Sequence, residues 1–433
     1  MSSVILNSAS NSALINTLNA SASLTNPNIY ATAPIYPAHS VTYAQNQPSN
    51  GNQPVKGNST VFQLNKYGII SQILLTYKKT YTNASGGALT GVGSVQNDFF
   101  NILEKVELLS SSRVVSTLTK VDLMAQFSNL PTNKLVVIAE NLLNPQLVGS
   151  GATAGNLASG ATSSELSFTA PLVFGFMKDI NTQLNASFLE PLSIRCTWGN
   201  TWDQATGRAA GLTGNVFSPQ LSVRYKNYPE DQNAAIISQN FSNPSLNILS
   251  TKFTDENRGT YISTTNQAET DASIEVELKN TECVNNFYVV LLESNPNALG
   301  GASSTGASGE LNPAPELIKT VEFTGSGQEI VSLKSHEMAY GRLDTDGFSV
   351  GQSIADNANH LSRVAKFQTG VYGDGVLSNT ISLREINAPR IKVTFDIEAR
   401  TELVRYYLYV VEDCSAIYSV TSATGALQVS LAN

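Results

Sequence analysis

The sequence predicts an all-β chain made of two tandem copies of one sandwich domain, and three observations carry that expectation. The chain repeats itself without a gap at a spacing of 215 residues in a length of 433. Only 14% of its residues are charged, against about 25% in an ordinary soluble domain, which disfavours long surface helices that need Glu and Lys. Its apolar residues also fall in short alternating runs separated by Gly, Ser, Asn and Thr clusters, the pattern of strands and turns.

The repeat is clearest between Leu103–Met124 and Ile318–Ala339. Val106/Val321, Glu107/Glu322, Ser111/Ser326 and Leu118/Leu333 are identical, and Leu103/Ile318, Leu108/Phe323, Val115/Ile330 and Leu123/Met338 keep apolar character. Upstream, Ile73, Leu75 and Tyr77 fall on Tyr288, Val290 and Leu292 at the same spacing, and a Gly/Ser/Ala-rich loop over Ala84–Val95 falls on Leu299–Glu310. A shared register of this length means two copies of one domain, and the chain is long enough for two cores of about 200 residues each.

In chain order, residues 1–57 read as an N-terminal arm, 58–232 as the first sandwich, and 233–433 as a linker and the second, with the boundary near 229–262. The first 55 residues contain no Asp, Glu, Lys or Arg. Such an arm cannot condense nucleic acid, since phosphate contacts need cations. It either docks on a neighbouring subunit or apolar surface, outside both sandwiches, or is a disordered leader. Val61–Leu64, Ile69–Tyr81, Phe99–Leu109 and Val114–Leu118 then read as strands, and Thr119–Phe127 as a helix capped by Thr119 with Val121, Met124 and Ala125 on one face. Strands follow at Leu166–Phe174, Leu192–Trp198 and Leu221–Tyr225. The second copy offers Ile274–Leu278, Phe287–Leu292, Ile318–Phe323, a helix at Lys334–Tyr340, then Ile381–Leu383, Ile391–Ile397 and Arg405–Val411. Leu192–Trp198 answers Ile391–Ile397 at a spacing of 199. The sum is two tandem eight-stranded jelly-roll β-sandwiches with one short helix each, because no regular alternation of strands with long helices supports a βαβ fold. Loops at Asn83–Gln96, Val148–Glu165, Asn200–Ser218 and Asn295–Pro313 project from one end of a sandwich.

Chemistry-bearing patterns are sparse. Cys196, Cys283 and Cys414 sit in or beside apolar runs, with neither metal spacing nor a disulfide framework, so they read as reduced thiols from a reducing cytoplasm. No run reaches the roughly 18 apolar residues of a membrane span, and no basic leader suggests secretion. The histidines are His39, His336 and His360. A Ser-His-Asp site would need His336 or His360 beside Ser335 and Asp344, Asp346 or Asp356. His336 aligns with Val121 and reads as a tolerated, partly buried residue. Asp344-Thr345-Asp346-Gly347 reads as a turn, with Asp344 and Asp346 the candidates for a structural ion, although the closing Glu of a calcium loop is missing. No P-loop, HExxH or GxGxxG occurs, so no catalytic site and no cofactor are expected. Trp198 and Trp202 flank the end of a strand and read as core or loop packing in preference to sugar stacking, and Asn83, Asn185 and Asn240 head sequons expected by chance.

The charge-poor arm, the strand opening Val61–Ile69, the strand–turn–strand–helix stretch Asn101–Phe127 and Leu189-Glu190-Pro191-Leu192-Ser193-Ile194 before an alternating strand resemble the double jelly-roll major capsid proteins of tailless, membrane-containing icosahedral bacteriophages. That resemblance implies a homotrimeric capsomer of pseudo-sixfold outline, tiled against neighbouring capsomers. It implies separate vertex (penton) and minor capsid proteins, an internal lipid membrane on the inner side, and a virion location after assembly in the host cytoplasm. A formal net charge of −8 with no basic tract argues against direct nucleic-acid binding and for broad neutral contacts within the trimer. The competing expectation is a carbohydrate-binding or adhesive β-sandwich on a surface, which needs a convergent aromatic pocket in place of a duplicated scaffold.

Overall fold

A computed structural model describes residues 40–49, 53–84, 86–88, 98–128, 157–178, 183–200, 212–227, 245–279, 283–294, 311–314, 317–334, 365–368, 371–373, 376–378, 381–400, 403–421 and 424–431. The first sandwich is built from β1 (Ser40–Asn46), β2 (Ser59–Gln63), β3 (Ile69–Asn83), helix α1 (Asp98–Ile102), β4 (Leu103–Ser110), β5 (Arg113–Thr119), helix α2 (Lys120–Ser128), β6 (Leu166–Pro171), β7 (Leu192–Trp198) and β8 (Leu212–Asn227). Its eight strands form two antiparallel four-stranded sheets in the spatial orders β1-β8-β3-β6 and β2-β7-β4-β5. This interleaving, in which sequence neighbours other than the β4–β5 hairpin sit in opposite sheets, is the jelly roll. Strict alternation in β3 sends Ile73, Leu75 and Tyr77 inward against Phe62, Val106 and Ile194, as a half-buried strand requires. Trp198 closes that core at 1% exposure, its indole N–H donating to Thr60 Oγ1 at 2.7 Å.

The second sandwich repeats the plan with β9 (Ser245–Ile262), β10 (Glu269–Glu277), β11 (Cys283–Ser294), β12 (Leu311–Pro313), β13 (Ile318–Gly325), β14 (Gln328–Lys334), β15 (Ala365–Gln368), a small hairpin β16 (Val371–Gly373) and β17 (Val376–Ser378), β18 (Ile381–Ser382), β19 (Arg390–Ile397), β20 (Arg405–Thr421) and β21 (Ala426–Leu431). One sheet runs β9-β20-β11, with β12, β15 and β18 along the far side of β11 and β21 beside β20; the other runs β10-β19-β13-β14. The β4–β5 and β13–β14 hairpins match residue for residue. Val106 faces Leu118 as Val321 faces Leu333, both pairs carry a register shift before Leu109 and Thr324, and both turns place their first residue, Ser111 or Ser326, at positive φ (56° and 53°).

Elsewhere the structure corrects the expected register. The core of the second sandwich takes Phe287, Val289 and Leu291, whereas Tyr288, Val290 and Leu292 join the other apolar cluster. The equivalents of Ile73, Leu75 and Tyr77 therefore lie at a spacing of 214, because a one-residue slip turns every side chain to the opposite face. Thr197, Cys196 and Arg195 face Lys105, Val106 and Glu107 as Thr394, Val393 and Lys392 face Thr320, Val321 and Glu322. The β7/β19 spacing is thus 197 and not 199, a two-residue slip that preserves the buried face and so leaves alternation intact.

Ser40–Asn46, inside the segment expected to stay outside both sandwiches, pairs with β8 along its whole length; residues 1–39 lie outside the described residues. Phe99–Ile102 is a helical turn and not the start of a strand. The last strand of the first sandwich ends at Asn227 and the first strand of the second opens at Ser245. Several strands are long, with 15 residues in β3, 16 in β8, 18 in β9 and 17 in β20. The second helix expected at Lys334–Tyr340 lies outside the described residues beyond Lys334, which ends β14.

Candidate assembly interface

The two sandwiches meet along a buried seam. Helix α2, the short helical turn Gly175–Met177 and the edge strand β5 of the first sandwich pack on the outer face of β9, β20 and β11. One apolar cluster runs through, joining Leu123, Met124, Phe127 and Phe176 to Phe253, Tyr288, Val290, Leu292, Val411 and Tyr418. The sequence folds α2 here through reciprocal capping: Asp122 N–H donates to Thr119 Oγ1 at 3.2 Å and Thr119 N–H donates to Asp122 Oδ2 at 2.8 Å. Val121, Met124 and Ala125 then lie buried, as their spacing predicts.

Polar contacts fix the seam's register. Lys178 forms an ion pair with Asp413 at 2.7 Å and lies 4.2 Å from the centroid of the Phe253 ring. Asn286 Nδ2 donates to the same carboxylate at 3.3 Å. Thr119 Oγ1 donates to Asp255 Oδ2 across the seam at 2.7 Å. Burial pushes the Asp122 carboxyl up to about 8, helped by the nearby Asp255 and opposed by the Thr119 hydrogen bonds and Lys252, so near neutrality it holds its proton. Gly175 permits the closest approach: a Cβ there would stand 1.6 Å from the Thr251 carbonyl oxygen. The last strand, β21, closes the joint, with Arg113 Nη2 donating to Leu427 O at 3.0 Å, Leu427 N–H to Ser110 Oγ at 3.3 Å and Glu190 N–H to Gly425 O at 2.9 Å.

The matching outer face of the first sandwich is open among the described residues. It presents Gln72, Leu74, Thr76 and Lys78 on β3, Ser222, Arg224 and Lys226 on β8, and Val41 and Tyr43 on β1. Tyr43 is 64% exposed and pairs with Arg224; Val41 pairs with Lys226. Burial and the adjacent Arg224 lower the Lys226 ammonium below its usual range. At one end of this sandwich, Asn83 gathers the loops. Its side-chain amide donates to Gly87 O, Leu157 O and Ala158 O at 2.9, 2.9 and 3.1 Å.

Of the expected site residues, Cys196 and Cys414 are buried, Cys283 is half-buried, and all three are free thiols, with burial pushing the Cys196 thiol up. Asn83 and Asn185 are buried, out of reach of a glycan. His39, His336, His360, Ser335, Asp344, Asp346 and Asp356, together with Trp202 and Asn240, lie outside the described residues. No helix among the described residues is long and apolar enough to cross a membrane. No group of three or more His, Cys, Asp and Glu that could hold a metal occurs among them. Sequence reasoning missed the seam residues Lys178, Asp413, Asp122 and Asp255; the one available signal was the unbroken apolar run Tyr288–Leu292.

No protein-family model matches the chain, and no curated relative is found by sequence. Solved structures do match. The Faustovirus major capsid protein aligns with a TM-score of 0.60 at 10% identity, over 89% of this chain and 91% of that one. The capsid of the virus PBCV-1 gives 0.57 at 12%, over 93% and 99%, and the mavirus major capsid protein 0.54 at 9%, over 90% of both. With two interleaved sandwiches of the same strand order in one chain, and likeness along nearly its whole length, the chain has the double jelly-roll fold of these major capsid proteins.

Proposed function

We propose that the chain is a structural major capsid protein, without catalytic activity or cofactor, that forms trimeric pseudo-hexameric capsomers of an icosahedral virus shell. One observation carries the proposal: two jelly rolls of identical strand interleaving are fixed to each other by a buried seam. A rigid pair of similar units lets three copies present six similar flanks, which suits hexagonal tiling and leaves five-fold vertices to a separate penton protein. Likeness to solved major capsid proteins over about nine-tenths of the chain supports the same reading. Neighbouring capsomers and minor capsid proteins are its lateral partners, and an internal lipid membrane, not the genome, its inner one. Its place is the virion capsid after assembly in the host cytoplasm, and Asp344 and Asp346 stay as candidates for a structural ion.

Light scattering coupled to size-exclusion chromatography tests the reading. The expected particle has three times the 46.2 kDa chain mass and a six-lobed outline by electron microscopy. A monomer with glycan affinity would overturn it in favour of an adhesive sandwich.

A further inference from the structure

The seam brings carboxylates from the two sandwiches onto one residue. Thr119 N–H donates to Asp122 Oδ2 at 2.8 Å, and Thr119 Oγ1 donates to Asp255 Oδ2 at 2.7 Å. Asp122 belongs to α2 and Asp255 to β9, where it lies in the register shift between Thr254 and Asn257, a bulge of the kind that re-aims a side chain. Each acid uses one oxygen on Thr119. The other oxygen of Asp122, Oδ1, is buried without a hydrogen-bond partner, in a residue only 2% exposed. One turn further along the same side of α2, Gln126 is 8% exposed. Its amide N–H donates to Val173 O at 2.6 Å, and its Oε1 is buried and unpartnered. On β9, against which α2 packs, Thr251 Oγ1 is buried and unpartnered as well. Buried polar atoms rarely lack a partner, and these are all oxygens. A buried water could satisfy one or two of them but would leave the repulsion between the acids, which adds to the burial that raises the Asp122 carboxyl. Lys252 faces Asp122 but forms no ion pair with either acid among the described residues.

We propose that the seam holds a divalent-cation site of the calcium class, formed by Asp122, Asp255 and Gln126 Oε1, and that the bound cation fastens the two sandwiches to each other. Binding exchanges one ion for another. The Asp122 O–H bond breaks, its proton passes to solvent, and the freed carboxylate ligates the cation through Oδ1. Two positive charges then stand beside two carboxylates, so the seam ends neutral at this point. Carboxylate and amide oxygens are the donors that hard cations take. A helix and a bulged strand supply them at irregular positions, and Asp255 is half-exposed, so water can complete the shell. Calcium accepts such flexible geometry, whereas magnesium demands a near-ideal octahedron. With two carboxylates, an amide and no histidine or cysteine, the site is separate from the Asp344 and Asp346 pair. Both acids belong to one chain, so the site does not depend on assembly.

Denaturant titration of the full-length chain near neutral pH, in calcium chloride and in EDTA, tests the site. With calcium at about 100 times its dissociation constant, the folding equilibrium of the parent should shift about a hundredfold toward the folded state. Asp122→Asn, and Asp255→Asn at its half-exposed bulge, should each abolish that gain. By equilibrium dialysis each should bind one calcium ion fewer per chain than the parent. In EDTA both variants should match or exceed the parent, which separates a lost ligand from a lost fold. Asp344→Asn/Asp346→Asn should keep the gain in full. A parent that gains nothing from calcium would overturn the proposal, and so would a gain that survives both seam variants. A gain lost only in the Asp344→Asn/Asp346→Asn variant would also overturn it and move the cation to that pair.

Discussion

The outer face of the second sandwich and that of the first occupy equivalent places in the same fold, yet their chemistries differ. On the second, Tyr288, Val290, Leu292 and Val411 are buried beneath α2, and β11 is buried on both faces along most of its length. On the first, Leu74, Thr76, Lys78 and Ser222 are half-buried and alternate with core residues. Duplication kept the strand order and the hairpin register but let the faces diverge. A face that is covered during folding of its own chain can be apolar, whereas a face left open on the folded chain has to remain soluble.

The largest expected effect breaks this comparison directly. Val290 and Thr76 are equivalent positions, so Val290→Asp should lose about 4 kcal/mol or more, an uncompensated carboxylate in the seam. Thr76→Asp should cost only about 1 kcal/mol, the hydrogen bond that the half-buried Thr76 hydroxyl donates to Gln220 O. Denaturant titration of each variant decides; similar losses would mean the two faces are equally buried.

A second test concerns backbone approach. Gly175→Ala should cost about 2–4 kcal/mol, because the Thr251 carbonyl has no room to retreat within a paired strand. Gly86→Ala meets nothing within 4 Å and should be tolerated within about 0.5 kcal/mol. If Gly175→Ala melts with the parent protein, the seam is looser than its geometry.

A third concerns the seam's protonation. A carboxyl whose pKa rises on folding, as that of Asp122 does from 3.8 to about 8, favours the folded state fully below the unfolded value. That contribution is lost as pH rises through the folded one. Asp122→Asn keeps the acceptor for Thr119 N–H and removes the titration. Its gain over the parent should be near zero around pH 4 and grow to roughly 1–3 kcal/mol by about pH 8. A gain independent of pH would remove the burial of Asp122 as its cause.

How far the fold was legible depended on what fixed the register of a strand. In β4 and β13 the identical pairs Val106/Val321, Glu107/Glu322 and Ser111/Ser326 set the repeat to the residue, although β4 is buried on both faces from Val106 to Ser110 and β14 was missed as a strand. β11 loses the alternation by being buried on both faces, and a continuous apolar run carries no face information, which is why its register slipped by one. β1 was missed for the opposite reason. Its larger apolar residues, Val41 and Tyr43, point outward, and its other face presents Thr42, Ala44 and Asn46, too small and polar to announce a core strand. The interface itself was illegible because Lys178 and Asp413 are 235 residues apart, and only the fold brings them together.

The smallest effect tests what the two copies kept in common. Ser111 and Ser326 both adopt the left-handed conformation, and each donates its backbone N–H to a carbonyl just before the neighbouring strand, Pro191 O ahead of β7 at 2.8 Å and Asn387 O ahead of β19 at 2.7 Å. A β-branched side chain is strained there, since its Cβ substituents crowd the backbone at positive φ. Ser111→Val and Ser326→Val should therefore each cost roughly 1–2 kcal/mol, the strain of a residue held outside its allowed region. The turns lie in different sandwiches with no shared partner, so the double variant should lose the sum to within about 0.5 kcal/mol. Chemical denaturation of the two single variants and the double one measures this. Equal costs at the turns beside unequal costs at Val290 and Thr76 would mean that divergence between the copies is confined to the faces. A turn that tolerates valine in one copy only would show that divergence reached the hairpins as well.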